Sequence, residues 1–251
     1  MTDTAAPATE TRPAEPEEPA TAAADGQGAA PEAPKPTMLV LVRHAVTEQT
    51  GPMLTGRTPG VDLSEDGREQ AAALAERLAD LPVAAVYSSP IERTAQTADA
   101  VAQRHELPVR SLPGALEADY GEWTGGKLVD LAKTDLWKTV QHAPSRARFP
   151  GGESLPEMQA RIVGCLEAIV ADHPGEIVVV VSHADPIKAA IAHYTGLHLD
   201  LFQRIVVSPA SVTAFQLSVH GAALVKCNDT GGLEELRPPP PEEKKEDAHD
   251  G

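Results

Sequence analysis

Apolar and polar positions along this chain fall into short blocks that switch between two patterns. Thr37–Val42 (TMLVLV) is an unbroken apolar run with no polar face, the pattern of a strand covered on both sides. Val83–Tyr87 reads the same way. Ile177–Val181 (IVVVV) is the most β-branched stretch of the sequence and predicts a central strand. Helical patterns lie between these runs. Ser64 followed by Glu65 and Asp66 predicts a capped helix start, continued by an alanine-rich stretch to Ala79 and ended near Pro82. Ser88-Ser89-Pro90 predicts a second helix, with proline in its first turn, running to about His105. A third follows Gly151-Gly152-Glu153-Ser154. Its apolar positions Leu155, Met158, Ile162, Leu166 and Ile169 have three- and four-residue spacing, and Pro174-Gly175 closes it. A fourth begins near Pro186, where proline is tolerated.

The intervening segments are less regular. Residues 51–63 and 107–126 carry repeated Gly and Pro and predict loops, the second long enough to be functional. Two weak helices are expected within 127–141. Strands near 204–207 and 211–219 are expected to pair, ahead of a last strand at 222–227. Strands alternating with helices predict an α/β fold, a three-layer α/β/α arrangement with a mostly parallel sheet and helices on both faces.

Composition limits how much of the 251-residue chain joins this pattern. Residues 1–36 are Ala, Pro, Thr and Glu with almost no large apolar side chains, and residues 234–251 hold a proline run and then charges. Neither can bury enough apolar surface to offset ordering entropy, so both are expected to be disordered tails. Residues 37–233 then form one domain. The formal net charge is −16; seven acids against two bases in the first tail and seven against three in the second leave about −7 for the domain. That balance argues against nucleic acid or a membrane surface as partner and leaves a small molecule. Oligomeric state is open. Cys165 and Cys227 lack metal or redox spacing and are expected to be reduced core thiols. No apolar stretch reaches the ~18 residues that span a bilayer, and the N-terminus lacks the regions of a signal peptide. A cytoplasmic protein is expected.

Three strand ends carry the notable chemistry. Arg43-His44 follows the first strand, Ser88-Ser89-Pro90-Ile91-Glu92-Arg93 the second, and Ser182-His183-Ala184 the valine-rich one. Parallel strands bring their C-terminal ends to one edge, where α/β sheets bind ligands. Two arginines and two histidines there make an anion site, since the guanidinium fork suits phosphate oxygens. The positive N-terminal end of the helix near Pro90 adds to it. The other histidines, His105, His142, His173, His193, His198, His220 and His249, read as ordinary structural or surface residues.

The pieces LVRHAVT (41–47), LTGR (54–57), VDLSEDGREQAAALAERL (61–78), YSSPIERTAQTA (87–98), EADYGEWTG (117–125), PGGESL (150–155) and VVSHADPIKA (180–189) occur in this order. In them the sequence resembles the histidine phosphatase superfamily, the phosphoglycerate-mutase-like proteins, over about residues 38–218. The resemblance implies that His44 is a nucleophile that becomes phosphorylated and that Arg43, Arg93 and His183 bind the phosphoryl oxygens. It makes Glu117 the proton donor and acceptor, with Asp119, Glu122 and Asp185 as competing acids nearby. Thr50 falls where many members carry a phosphate-contacting Asn, and Ala45 where glycine is usual. No metal or cofactor is implied: two arginines and a second imidazole supply the positive field. Glu117 must hold a proton for the leaving alcohol, so its pKa should lie above that of a free Glu.

The expected activity is a metal-independent phosphomonoesterase working through phosphohistidine on a small phosphorylated metabolite. A phosphomutase is the alternative, but only about 25 residues separate Gly125 from Gly151, whereas mutases of the phosphoglycerate type carry a long insertion there. A phospho-ligand-binding protein with an impaired site is a third reading. Segment 126–148 should form much of the pocket rim. Its Lys127, Lys133, Lys138, Arg146 and Arg148 are candidates for a second anionic group, although each is by default a solvated helix charge.

Overall fold

The computed structural model describes residues 1–2 and 35–232; the two expected tails fall almost wholly outside the described residues. In chain order the elements are β1 (Thr37–Arg43), β2 (Met53–Leu54), α1 (Glu65–Leu78), β3 (Val83–Ser88), α2 (Glu92–Arg104) and β4 (Val109–Ser111). Then come β5 (Gly126–Lys127), α3 (Leu128–Leu131), α4 (Asp135–His142), α5 (Leu155–Asp172), β6 (Ile177–Ser182), α6 (Ala184–Tyr194), β7 (Val212–Ser218) and β8 (Gly221–Asp229). The main sheet has six strands in the order β4-β3-β6-β1-β7-β8. Pairing is parallel from β4 to β1 and antiparallel for β1 with β7 and β7 with β8.

Alternation within the apolar runs sorts the two faces. Leu39, Leu41, Val178 and Val180 join Met158, Ile162 and Ile187 of α5 and α6 in one core. Val40, Val42, Val179 and Val181 join Leu74, Leu78, Ala98 and Val101 of α1 and α2 in the other. Each such side chain contributes roughly 1.5–3 kcal/mol on burial, while strand propensities differ by only about 1 kcal/mol. Burial on both faces, more than propensity, therefore places β1 and β6 in the middle of the sheet. The helices start as their sequences dictate. Ser64 accepts from Gly67 N at 3.1 Å, and Ser154 and Glu157 form a reciprocal capping box on α5. All five apolar positions expected on α5 are buried.

Register is what places the site. Arg43 of β1 is paired with Ser182 of β6, and His44 N donates to Ser182 O at 3.0 Å. On the other side of β6, Ser88 is level with Val181, and Ser89 N donates to Val181 O at 3.0 Å. His44, Ser89 and His183 thus leave the sheet at one height.

Four expectations are corrected. Residues 204–207 are not a strand: a 3₁₀ turn over Leu199–Arg204 leads into extended chain. There Val207 O accepts from Arg43 Nη1 at 2.7 Å and Ser208 N donates to Asn228 Oδ1 at 2.6 Å, so side chains occupy the groups a ladder would use. Helix α2 begins at Glu92, and Ile91, which offers no side-chain acceptor, is its cap; Pro90 lies outside the first turn. The loops at 51–63 and 107–126 contain β2, β4 and two 3₁₀ turns, and β2 pairs with β5. Cys227 is exposed on the edge strand β8, whereas Cys165 is half-buried; both are free. No helix among the described residues is long and apolar enough to cross a membrane.

Candidate active site

His44 is buried at the end of β1. Its Nδ1 lies 2.7 Å from Ala45 O, a carbonyl that only accepts, so Nδ1 carries the proton and Nε2 the lone pair. Arg93 Nε donates to that lone pair at 3.2 Å. Burial, and then the charges of Arg93 and Arg43, hold the imidazole pKa well below its ordinary value, so the ring is neutral. Ala45 meets no conformational obstacle: it is not among the residues with positive φ. Its methyl packs with Leu63, Ala71 and Ala210, and its N–H donates to Thr97 Oγ1 at 3.1 Å.

Arg93, on the first turn of α2, sits between the two histidines. Its Nη2 donates to Gly56 O at 2.7 Å and lies 3.1 Å from His183 Nδ1. Arginine only donates, so His183 Nδ1 accepts and its Nε2–H donates to Ser89 Oγ at 2.9 Å. The His183 ring is neutral for the same reasons as His44, burial first and Arg93 second. The rings of His44 and His183 meet edge to face, centroids 5.3 Å apart. Arg43 is anchored through Val207 O. Two guanidinium donors, Arg43 Nε and Arg93 Nη1, are buried and have no protein acceptor, an arrangement that costs free energy unless an anion takes them.

Glu117 is buried opposite this cluster. Burial raises its carboxyl pKa to about 7; the charge of Asp185 adds to this, and the Ala118 N–H, Arg93 and Arg43 pull against it. Asp185 accepts from Tyr120 OH at 2.8 Å. The competing acids separate clearly. Glu122 is exposed, Asp119 is paired with Arg57 at 3.3 Å, and Asp185 lines the cavity beside Glu117.

The loop bearing Glu117 is held by residues to which the sequence assigned no role. The Glu117 carbonyl accepts from Arg57 Nε at 2.8 Å and Arg161 Nη2 at 3.4 Å. Glu153 gathers both cations, at 3.0 and 2.7 Å, and takes Asp119 N at 2.9 Å. Ser182 Oγ donates to Ala115 O at 2.7 Å, tying the loop to the end of β6. Gly121, with φ +51°, lies where a Cβ would sit 2.1 Å from Pro150 O; only glycine permits this joint. Arg57 and Glu153 belong to the LTGR and PGGES pieces, which was the available signal. Arg161 reads as an ordinary helix charge.

His44, Arg43, Arg93, Glu117 and Thr50 line one cavity of about 300 Å³, and His183 lies behind it. The hydroxyl of Thr50 accepts from Thr47 N at 2.9 Å. Segment 126–148 does form the rim, but through Leu128, Trp137, Val140 and Gln141. Its cations point elsewhere. Lys133 pairs with Asp130, Lys138 with Asp135, and Arg148 with Glu157, while Lys127 and Arg146 do not line the cavity. Among the described residues no group of three or more His, Cys, Asp and Glu side chains is placed to hold a metal ion.

The family model of the histidine phosphatase superfamily (branch 1) matches residues 39–230. The chain belongs to the histidine phosphatase superfamily. It is 34% identical to phosphoserine phosphatase 1 of Hydrogenobacter thermophilus over 204 residues, covering 79% of this chain and 95% of that protein. It is also 34% identical to the metal-independent phosphoserine phosphatase of Arabidopsis thaliana over 168 residues, covering 63% of this chain and 69% of that one. The structure of a mycobacterial glucosyl-3-phosphoglycerate phosphatase superposes with a TM-score of 0.71 at 25% identity, covering 78% of this chain and all of the other. This histidine phosphatase is a phosphoric monoester hydrolase acting on a small phosphorylated metabolite.

Proposed function

We propose that this phosphatase hydrolyses its ester in two steps through a phosphohistidine on His44, with no metal. The observation that carries the proposal is the fixed tautomer. With Nδ1–H held by Ala45 O, the Nε2 lone pair faces the cavity among buried guanidinium donors.

An arriving phosphoryl group takes the two unpartnered donors, Arg43 Nε and Arg93 Nη1, and draws Arg93 Nε away from the nucleophile. His44 Nε2 then attacks phosphorus as the P–O ester bond breaks. Glu117, protonated by virtue of its raised pKa, gives its proton to the leaving oxygen. In the second step Glu117, now ionised, accepts a proton from water, the water oxygen attacks phosphorus, and the P–N bond breaks. Inorganic phosphate leaves and neutral His44 is restored. His183, held neutral between Arg93 and Ser89, orients Arg93; once the phosphoryl group draws Arg93 aside, the other tautomer, with Nε2 accepting from Ser89 Oγ–H, offers its Nδ1–H to the phosphoryl oxygens. Thr50 contributes its hydroxyl proton. Phosphoryl transfer needs positioning and charge stabilisation above all, and two buried arginines provide both.

The experiment is a rapid quench with ³²P-labelled ester. Acid-labile, base-stable label on the wild type and none on His44→Ala is expected. Full hydrolysis by His44→Ala would sink the proposal. Label passing to an added alcohol in preference to water would make the protein a mutase.

A further inference from the structure

The proposed mechanism accounts for the phosphoryl end of the cavity and leaves its far end without a role. The charges there are already paired. Lys188 is the cation lining the cavity besides Arg43 and Arg93. Its Nζ lies 3.7 Å from Asp185 Oδ1, 3.1 Å from Gln203 Oε1 and 5.6 Å from the centre of the Phe202 ring. Asp185 in turn takes Tyr120 OH. A substrate carboxylate or second phosphate brought here would meet Asp185 and would have to draw Lys188 from it, because the pair as it stands offers no net positive charge. A substrate ammonium would compete with Lys188 for Asp185.

The remaining wall has a different character. Trp123 and Trp137 both line it, their rings tilted by 31° with centroids 6.3 Å apart. Leu128 and Val140 extend the apolar surface, and the amides of Gln141 and Gln203 interrupt it. Flat aromatic faces bind the flat apolar face of a ring, and amides offer donors and acceptors to hydroxyls without demanding charge. The volume, about 300 Å³, lies at the lower end of ligand cavities, about 300–1,000 Å³. That leaves space for one ring beyond the phosphoryl group.

We propose that the alcohol this phosphatase releases is neutral, polyhydroxylated and monocyclic, of monosaccharide size, seated against Trp123 and Trp137 and hydrogen-bonded by Gln141 and Gln203. This rests on the phosphatase reading above and names the substrate class of the same site. Trp137 and Gln141, both on α4, are then specificity residues that take no part in the bond changes.

The test compares kcat/KM of the full chain for a hexose monophosphate, phosphoserine, 3-phosphoglycerate, glycerol phosphate and p-nitrophenyl phosphate. The hexose ester is expected to exceed phosphoserine and 3-phosphoglycerate by at least about tenfold, the scale of one good stacking contact. Trp137→Ala should remove that preference, lowering kcat/KM for the hexose ester by at least about tenfold more than kcat/KM for the acyclic glycerol phosphate. Should Trp137→Ala fold poorly by circular dichroism, Gln141→Arg gives an independent readout, since a cation introduced at the rim should raise 3-phosphoglycerate turnover by about tenfold. Phosphoserine or 3-phosphoglycerate matching or exceeding the hexose ester would overturn the substrate class while leaving the phosphatase standing. No phosphate from any ester, p-nitrophenyl phosphate included, and no label on His44 would overturn the phosphatase reading and this inference with it.

Discussion

At the sheet end of the cavity, His44, Arg93 and Glu117, with His183 behind them, come from separate segments and are tied to one another or to nearby main chain by hydrogen bonds of 2.7–3.2 Å. At the helical rim, residues 126–148 present Leu128, Trp137, Val140 and Gln141, while the cations of the same segment pair outward or stay off the cavity. One end concentrates buried charge that only an anion completes; the other has its charges neutralised in advance. Under the proposed function, the difference puts reaction at the first end and choice of substrate at the second. A change at the sheet end should therefore affect every ester alike, and a change at the rim should reorder esters.

The largest effect belongs to the sheet end. His44→Ala should lower kcat for every ester by at least ~10³-fold, and Arg93→Ala by roughly 10²–10³-fold, the range for removing a preorganised charge-stabilising donor. Steady-state kinetics on two unrelated esters checks this. A loss confined to one ester would erase the division between the ends.

Next in size is the clamp on the Glu117 loop. Arg57→Ala frees the Glu117 carbonyl and one side of Glu153. It should reduce kcat for an alkyl phosphate by roughly 10–100-fold with little change in KM, because a small misplacement of the proton donor is enough. With p-nitrophenyl phosphate, whose leaving group needs no proton, the loss in kcat/KM, which reports the phosphorylation step alone, should nearly vanish, while kcat still falls because Glu117 also activates water. Equal losses of kcat/KM on both esters would mean that Arg57 serves the fold and not the position of Glu117.

The pH dependence sharpens the same point. Glu117 is raised to about 7 by burial and by Asp185, so kcat/KM for alkyl esters should fall as pH rises through about 7 and the proton is lost. His44 and His183 are neutral well below their ordinary range, so no limb near 6.5 is expected from either ring. In stability the sign follows from the raised folded pKa. The contribution of Glu117 is full below its unfolded value of about 4.5 and disappears as pH climbs through about 7. Glu117→Gln should accordingly gain on the wild type between pH 4.5 and 8, by up to roughly 3 kcal/mol, as denaturation midpoints at the two pH values would reveal. A difference independent of pH would refute the buried, raised carboxyl.

The smallest effect is Thr50→Ala. Its hydroxyl accepts from Thr47 N and shares a hydrogen bond with Thr47 Oγ1 at 3.1 Å, so at most one donated bond to the substrate is at stake, and kcat/KM should drop by less than about tenfold. A larger loss would move Thr50 into the group that determines the rate.

Much of this was legible beforehand, for identifiable reasons. The five apolar positions of α5 are the five it buries, because helical spacing is local information. Arg43, His44, Arg93 and His183 could be found at strand ends because parallel strands share an edge. The failures share a cause as well. Residues 204–207 have a strand's composition but give Val207 O to Arg43, a long-range contact that no local pattern announces. Arg161 occupies a helix position like any other charged residue, and only the folded loop at 114–117 shows what it holds. Ala45 stands where the resembling family usually has glycine. The backbone at Ala45 proved free of positive φ, something composition does not disclose.

The sequence by itself determined the long central strands and the main helices, the faces they bury, and two arginines and two histidines gathered at one edge of a sheet. These follow from periodicity and chain order, which are properties of neighbours along the chain. Only the tertiary structure decided the rest: the proton on His44 Nδ1, the burial that raises Glu117, the salt bridges that hold Lys133, Lys138 and Arg148 off the cavity, and the two tryptophans that line it. Tautomer, desolvation and side-chain direction depend on groups brought close from distant parts of the chain, and that proximity exists only once the sheet has set its register.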